Sequence, residues 1–435
     1  MKRLFLVAFV ATVFLVFVAW SEAGNTIDIG YGWSTKADVT GAVKEAVASV
    51  RGQLGGATPD YAVLFSTVGY DVNVVLDEVN RAFGPDTKIF GETSCLGVVT
   101  NDGFHIGKVG SLALLGISSD RVSFGIGACS LNEVPDPKEA ARKAILKAIE
   151  DAGKERGELP DLVLVASCAV GNEEKLLTGI ESVLGKGKVP IFGGAAADNT
   201  IEGYWKVFTN KRVYSNAIAL TAIYTDLKLG YAFLSGFTPT DKKAIATEAE
   251  GRVIIELDHR PAGEVYNEWV DCRLTDELLN SAENILLATN LDPLGKKMRT
   301  KAGIIPYLLV HPKSFPKTPE HSLEVFADVK KGDEFTFMRG SREMLVERAA
   351  LTARLARSRG RITEKEVAGG LFIYCAGTML AISAEDRPQI TSKINEALGG
   401  APFIGVFTFG EQGFFPGIGN LYGNLMSSAI IFGKE

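Results

Sequence analysis

A chain of 435 residues exceeds what one hydrophobic core usually serves, so two large lobes are expected. With 46% hydrophobic and 23% charged residues, its composition excludes the disordered and fibrous classes. A formal net charge of -6, with adjacent basic residues in the body of the chain confined to isolated pairs such as Lys211-Arg212 and Lys330-Lys331, argues against a nucleic-acid partner.

The N-terminus carries Lys2 and Arg3, an apolar run from Leu4 to Trp20, and then Ser21-Glu22-Ala23. That order predicts a secretory signal peptide over residues 1–23, with small residues Ser21 and Ala23 ahead of the cut and a mature chain starting near Gly24. The competing reading is an uncleaved anchor, because the run is longer than a usual signal core of roughly 7–15 residues yet shorter than the roughly 20 that span a bilayer. Under either reading the folded part is exported, to a periplasmic or extracellular location, and no later stretch is apolar for long enough to cross a membrane. The cysteines are Cys95, Cys129, Cys168, Cys272 and Cys375, an odd count that leaves at least one thiol unpaired within the molecule.

An internal repeat follows: a buried strand, a small residue, an amphipathic helix stopped by glycine, and a second strand. The first copy predicts a strand from Tyr61 to Phe65 leading into Ser66, a helix bearing Val75, Leu76, Val79 and Phe83 before Gly84, and a strand ending Ile89-Phe90-Gly91. The second runs from Leu162 to Ala166 into Ser167-Cys168, through Leu176, Leu177, Ile180 and Val183 to Gly185, and ends Ile191-Phe192-Gly193-Gly194. The third starts at Leu371, passes Cys375 and helical residues Ile390, Ile394 and Leu398 before Gly399, and ends Phe403 to Phe407. Further helices are expected from Asp136 as N-cap with Pro137 at N1, and from about Ser341 to Arg357, where Arg354, Arg357 and Arg359 read as structural. A turn-rich stretch from Gly236 to Asp241 marks a lobe boundary, giving lobes 24–240 and 241–435. The fold class is therefore α/β, two lobes built from repeated strand-helix-strand units with mixed, largely parallel sheets.

Loops beyond the carboxyl ends of parallel strands are where open α/β sheets bind ligands. The candidate ligand-binding residues are accordingly Ser66, Gly91, Glu92, Thr93, Ser94, Cys95, Cys168, Gly193, Gly194, Asp198, Cys375, Gly410 and Glu411. Glu92, Asp198 and Glu411 would hold a ligand ammonium while N–H groups near Gly193, Gly194 and Gly410 hold its carboxylate. The plain alternative is that these acids cap helices or face water. Phe414-Phe415-Pro416-Gly417 and Asn420 read either as a pocket rim or as packing. The thiols supply a rival, a cysteine-dependent enzyme of acyl-transfer or hydrolase type, although burial as plain packing is the commoner fate of a free cysteine. A purely structural or partner-binding protein is the third class. No metal site is expected, since no His or Cys stand at zinc-like spacing, and His311-Pro312 and His321 read as turn and surface. No cofactor is expected either: Gly125-Ile126-Gly127 and Gly417-Ile418-Gly419 lack the rest of a nucleotide fingerprint and read as turns.

The order Gly91-Glu92-Thr93-Ser94-Cys95, Phe192 to Asp198, Arg260-Pro261-Ala262 with Tyr266, Gly370-Leu371-Phe372 to Cys375, and Thr408-Phe409-Gly410-Glu411 resembles the FIST sensory domain proteins. The resemblance spans an N-terminal region from about Asp60 to Gly236 and a C-terminal one from about Ala244 to the end. It departs in the first loop, where Gly97 is followed by Val98 and not by an acid, while Glu411 keeps an acid after Gly410. The resemblance implies a module that binds a small-molecule ligand such as an amino acid, with no catalytic residues to carry over. An exported chain of this kind would relay through a signalling partner protein, scavenge its ligand, or serve a role outside the family's usual one.

Overall fold

The computed structural model describes residues 27–210, 212–298 and 307–435. The leader at 1–23 and Lys211 lie outside the described residues. Three units repeat one plan. The first comprises β1 (Asp28–Ser34), α1 (Val39–Gln53), β2 (Tyr61–Thr67), α2 (Val72–Phe83), β3 (Lys88–Ser94), the hairpin β4 (Val98–Thr100) and β5 (Gly103–His105), and β6 (Leu112–Ser118). The second comprises β7 (Val122–Ser130), α3 (Pro137–Asp151), β8 (Leu162–Ser167), α4 (Glu173–Leu184), β9 (Ile191–Ala195), the hairpin β10 (Val207–Thr209) and β11 (Arg212–Tyr214), and β12 (Ala217–Thr225).

The third unit opens with β13 (Leu229–Leu234) and is then interrupted. The inserted segment holds β14 (Thr238–Glu250), β15 (Val253–Leu257), β16 (Arg260–Pro261), α5 (Ala262–Trp269), α6 (Thr275–Leu279), α7 (Leu286–Thr289), β17 (Leu294–Lys297), β18 (Tyr307–Val310), β19 (Pro312–Ser314), β20 (Leu323–Val325) and β21 (Glu334–Arg339). The unit resumes with α8 (Arg342–Gly360), β22 (Val367–Cys375), α9 (Ala376–Ala381), α10 (Arg387–Leu398), β23 (Phe403–Thr408), the hairpin β24 (Glu411–Phe415) and β25 (Gly419–Gly423), and β26 (Ser427–Gly433).

The sheets of the three units run β1-β6-β2-β3-β10-β11, β7-β12-β8-β9-β24-β25 and β13-β26-β22-β23-β4-β5, and the inserted segment forms a fourth, β18-β17-β21-β14-β15-β20-β19 with β16 beside β15. Each unit thus builds four strands in the same order and receives its edge hairpin from another unit, in a closed three-way exchange. The expected boundary at 240/241 falls inside β14, and two of the three sheets take strands from both sides of it. The fold is α/β with mixed sheets; parallel register is confined to the repeats themselves, β2 with β3, β8 with β9 and β22 with β23. The fourth strand of each unit, β6, β12 or β26, runs antiparallel to its neighbours.

Local chemistry accounts for the elements. Asp71 and Asp136 accept N–H groups at the starts of α2 and α3, Ser341 does so for α8, and the chain leaves α2, α4 and α10 through Gly84, Gly185 and Gly399 at φ 91°, 85° and 62°. The inner faces of the three sheets share one core, in which Tyr61 stacks on Phe124 at 4.2 Å and Phe192 meets Tyr231 at 5.4 Å. Helices cover the outer faces. Gly125 and Gly127, read above as a turn, lie within β7: a Cβ there would come 1.9 Å from the Ala148 carbonyl oxygen and 2.0 Å from that of Ala144, so they let α3 lie flush on its strand. The Gly417–Gly419 segment is the turn joining β24 to β25, closed by Ile418 N–H to the Phe415 carbonyl. His311 is a correction of the opposite kind. It is buried, its ring against the Thr289 hydroxyl and the Leu286 carbonyl, and Pro312 begins β19 instead of making a turn. Among the described residues no helix is long and apolar enough to cross a membrane.

Candidate functional site

The cross-strand register aligns the three units residue by residue. Leu64 stands opposite Gly91, Val165 opposite Gly193 and Phe372 opposite Gly405. In the first two units a glycine is compulsory, because a Cβ would fall 1.9 Å from the Leu64 carbonyl oxygen or 1.7 Å from that of Val165. Counting three residues on from the partner strand makes Thr67, Cys168 and Cys375 equivalent, so the two thiols do occupy corresponding strand ends. Ser66 has Ser167 and Tyr374 as its counterparts, and its hydroxyl donates to the Thr67 carbonyl.

The three expected loops meet. Ala197 N–H donates to the Thr93 carbonyl at 2.9 Å, Cys95 N–H to the Phe407 carbonyl at 3.0 Å, and Phe407 N–H to Ser94 Oγ at 2.9 Å. Ala195 N–H donates to the Gly410 carbonyl and Phe409 N–H to the Ala195 carbonyl, while Glu411 and Gln412 pair with Gly194 and Gly193 as β24 joins β9. Gly410 takes φ 99°, where a Cβ would sit 2.2 Å from the Tyr422 hydroxyl. The carboxyl ends of β3, β9 and β23 therefore form one hydrogen-bonded junction.

The acids at this junction divide. Asp198 accepts five backbone N–H groups, from Thr200, Ile201, Glu202, Gly203 and Tyr204, so its carboxylate is consumed in holding its own loop and is not presented to a ligand. Glu411 accepts the Thr408 hydroxyl at 2.9 Å and the Met426 N–H at 2.9 Å, with the Cys375 thiol beside it. Burial pushes its carboxyl up to about 8 against these hydrogen bonds. Glu92 is 1% exposed, and its Oε2 has no hydrogen-bond partner. Burial, and then the neighbouring Glu411, hold the Glu92 carboxyl well above the usual carboxylate range. Both shifts favour the neutral acid, which can donate as well as accept a hydrogen bond and can receive a cation only by giving up its proton.

The thiols are poorly placed for nucleophilic work. Burial lifts Cys95 to about 12, with Asp198 adding to it, and Cys168 to about 11; Cys375 is lifted too, by burial and then Glu411. A side chain at Gly377 would lie 3.7 Å from both Cys375 Sγ and His311 Cε1, but burial pulls His311 down to about 4, leaving a neutral ring with no carboxylate hydrogen-bonded to it. Phe414 and Phe415 pack on Tyr231 and Phe233, and Asn420 ties Ile191 N–H to Glu181 and the Val189 carbonyl, so both belong to packing.

Sequence reading missed Arg348, which is wholly buried, donates through Nη1 to the Ser235 and Leu425 carbonyls, lies 4.7 Å from the Tyr374 ring and draws the Glu411 carboxyl down. The signal was present: Leu345, Arg348, Ala349 and Thr352 share one helical stripe, so an arginine sits where α8 faces the core. Two surface grooves, of about 400 Å³ beside Val47 and Arg81 and about 420 Å³ beside Trp33 and Glu45, lie on the first unit, and none of the expected ligand residues lines either.

The chain matches the model of the FIST N domain over residues 60–260 and that of the FIST C domain over residues 262–414. It is 33% identical over 103 residues to MJ1623, an uncharacterized protein of Methanocaldococcus jannaschii, an alignment covering 23% of this chain and 19% of that protein. Among solved structures, a cyanuric acid hydrolase from A. caulinodans aligns over 94% of this chain and 100% of its own at 9% identity and TM-score 0.35. PurL of T. maritima complexed with ATP aligns over 94% and 71% at 10% identity and TM-score 0.22. Values this low establish neither a shared fold nor a shared chemistry.

Proposed function

The chain belongs to the FIST family, and on that premise we propose that it is an exported small-ligand sensor that takes an amino acid or similar metabolite at the junction of β3, β9 and β23. The observation that carries this reading is Glu92 Oε2, a buried polar atom without a partner at the point where the three glycine-containing strand ends meet. Such an atom costs stability unless something else uses it. The junction is packed, so ligand entry requires the loops to part, and the resulting change in how the three units exchange their hairpins is what a separate signalling partner would read. Export rests on the leader at residues 1–23.

The test is a thermal-unfolding screen of the chain from Gly24 against amino acids and other small metabolites, since a ligand that binds only the native state raises Tm by mass action. A shift present in the wild type and absent in Glu411→Gln supports the junction. A broad library without any shift would sink the sensor reading. Asp198→Ala is a poor probe here, because it would unfasten a loop regardless of ligand.

A further inference from the structure

Glu92 and Glu411 sit where all three sheets touch: Glu92 on β3 of the first sheet, and Glu411 at the crossing from β23 of the third into β24 of the second. Glu411 also fastens β26 through Met426 N–H, and Met426 in turn accepts Cys375 N–H from β22. The charged and titratable groups facing the pair are Cys375 on β22, Arg348 on α8 and Tyr422 on β25, with Asp198 facing Cys95 in the adjoining loops. Arg348 spends Nη1 on two carbonyls and leaves Nε and Nη2 without partners, so its charge offsets part of the cost of ionising Glu411, whereas Glu92 Oε2 has no donor at all. The packing therefore accommodates Glu92 as a neutral acid far better than as a second carboxylate beside Glu411.

We propose that Glu92 and Glu411 form a proton-held latch that keeps the three-strand junction closed while both are protonated and lets it part when they ionise. The device regulates the same junction assigned to the ligand above and rests on that reading only for what the open form admits; closure itself can be tested with no ligand present. Opening exposes the carboxyls to water, where their affinity for protons drops to that of ordinary glutamates. For one proton, the opening constant then rises about tenfold per pH unit between the open-state and closed-state values and is level above the latter.

Hydrogen exchange on the full chain reads this directly. Between pH 5 and 8, protection factors, corrected for intrinsic base catalysis, are expected to fall about tenfold per unit at the amides of Cys95, Ala195, Phe407, Phe409 and Met426. Amides at helix starts away from the junction, Ala42 of α1 and Val75 of α2, which exchange by local fraying, should stay flat over the same range. Glu411→Gln, whose amide can accept Met426 N–H and donate to Thr408, should flatten the junction amides, and Glu92→Gln should reduce their slope. Junction amides flat in the wild type, a slope shared with Ala42 and Val75, or a slope unchanged in Glu411→Gln would each overturn the latch while leaving the ligand screen to stand or fall separately.

Discussion

Single residues decide whether this is chemistry or packing. The buried thiols of Cys95, Cys168 and Cys375 are held in the protonated form at neutral pH, whereas Cys272 is exposed. Iodoacetamide at pH 7.5 followed by mass spectrometry should therefore label Cys272 alone in the native chain, and all the cysteines after denaturation. Rapid native labelling of Cys375 would revive the enzyme reading. Gly91 is the second decisive position, since a methyl group there would meet the Phe208 ring at 2.4 Å and the Leu64 carbonyl oxygen at 1.9 Å, and that carbonyl cannot retreat without breaking the β2–β3 ladder. Gly91→Ala should cost about 3 kcal/mol, read as a lower denaturant midpoint at unchanged m.

At the scale of elements, Asn420 shows how a donated hairpin is fastened to its host. Its side-chain oxygen accepts Ile191 N–H from β9 and its nitrogen donates to the Val189 carbonyl and Glu181. Asn420→Ala leaves a buried N–H without an acceptor and should destabilise by about 1–3 kcal/mol, with early exchange at Ile191. The strands and helices of the three repeats were legible in the sequence because their signals are local: apolar runs of strand length, helical stripes such as Val75, Leu76, Val79 and Phe83, and a glycine at each stop. That the glycine loops lie at the carboxyl ends of parallel strands was legible too, from the direction of the crossovers, but their meeting across three sheets was not. The hairpins were not. β4, β5, β10 and β11 are three residues each, too short for a periodicity, and nothing within Val98–His105 says that its partner is Ile404, some 300 residues on. Asp198 stayed ambiguous for a similar reason: an acid at the end of a small-residue loop looks the same in sequence whether it faces a ligand or the amides of its own loop.

For the whole molecule, cyclic exchange means that no unit completes its sheet alone, so the three should unfold together, and calorimetry should show them as one transition. Arg252 ties the inserted segment to the second unit through Glu173 at 2.7 Å and Glu174 at 2.8 Å. The pH dependence of that global transition follows from Glu411. Its carboxyl is near 8 in the folded chain and at the ordinary glutamate value near 4.5 when unfolded, so between those values the native state holds a proton that the unfolded state has lost. Stability is thus fully present below about pH 4.5, falls by about 1.4 kcal/mol per pH unit on the way to 8, and is level above, with Glu92 acting in the same sense. Paired acids at the surface act oppositely: Glu366, held near 2 by Lys228 and Thr363, stabilises only above the ordinary carboxylate range and weakens the fold on acidification. The alkaline arm is therefore the one that isolates the junction. Tm measured from pH 5.5 to 8.5 should decline in the wild type and decline distinctly less in Glu411→Gln; parallel curves would place the neutral-range proton somewhere other than this pair.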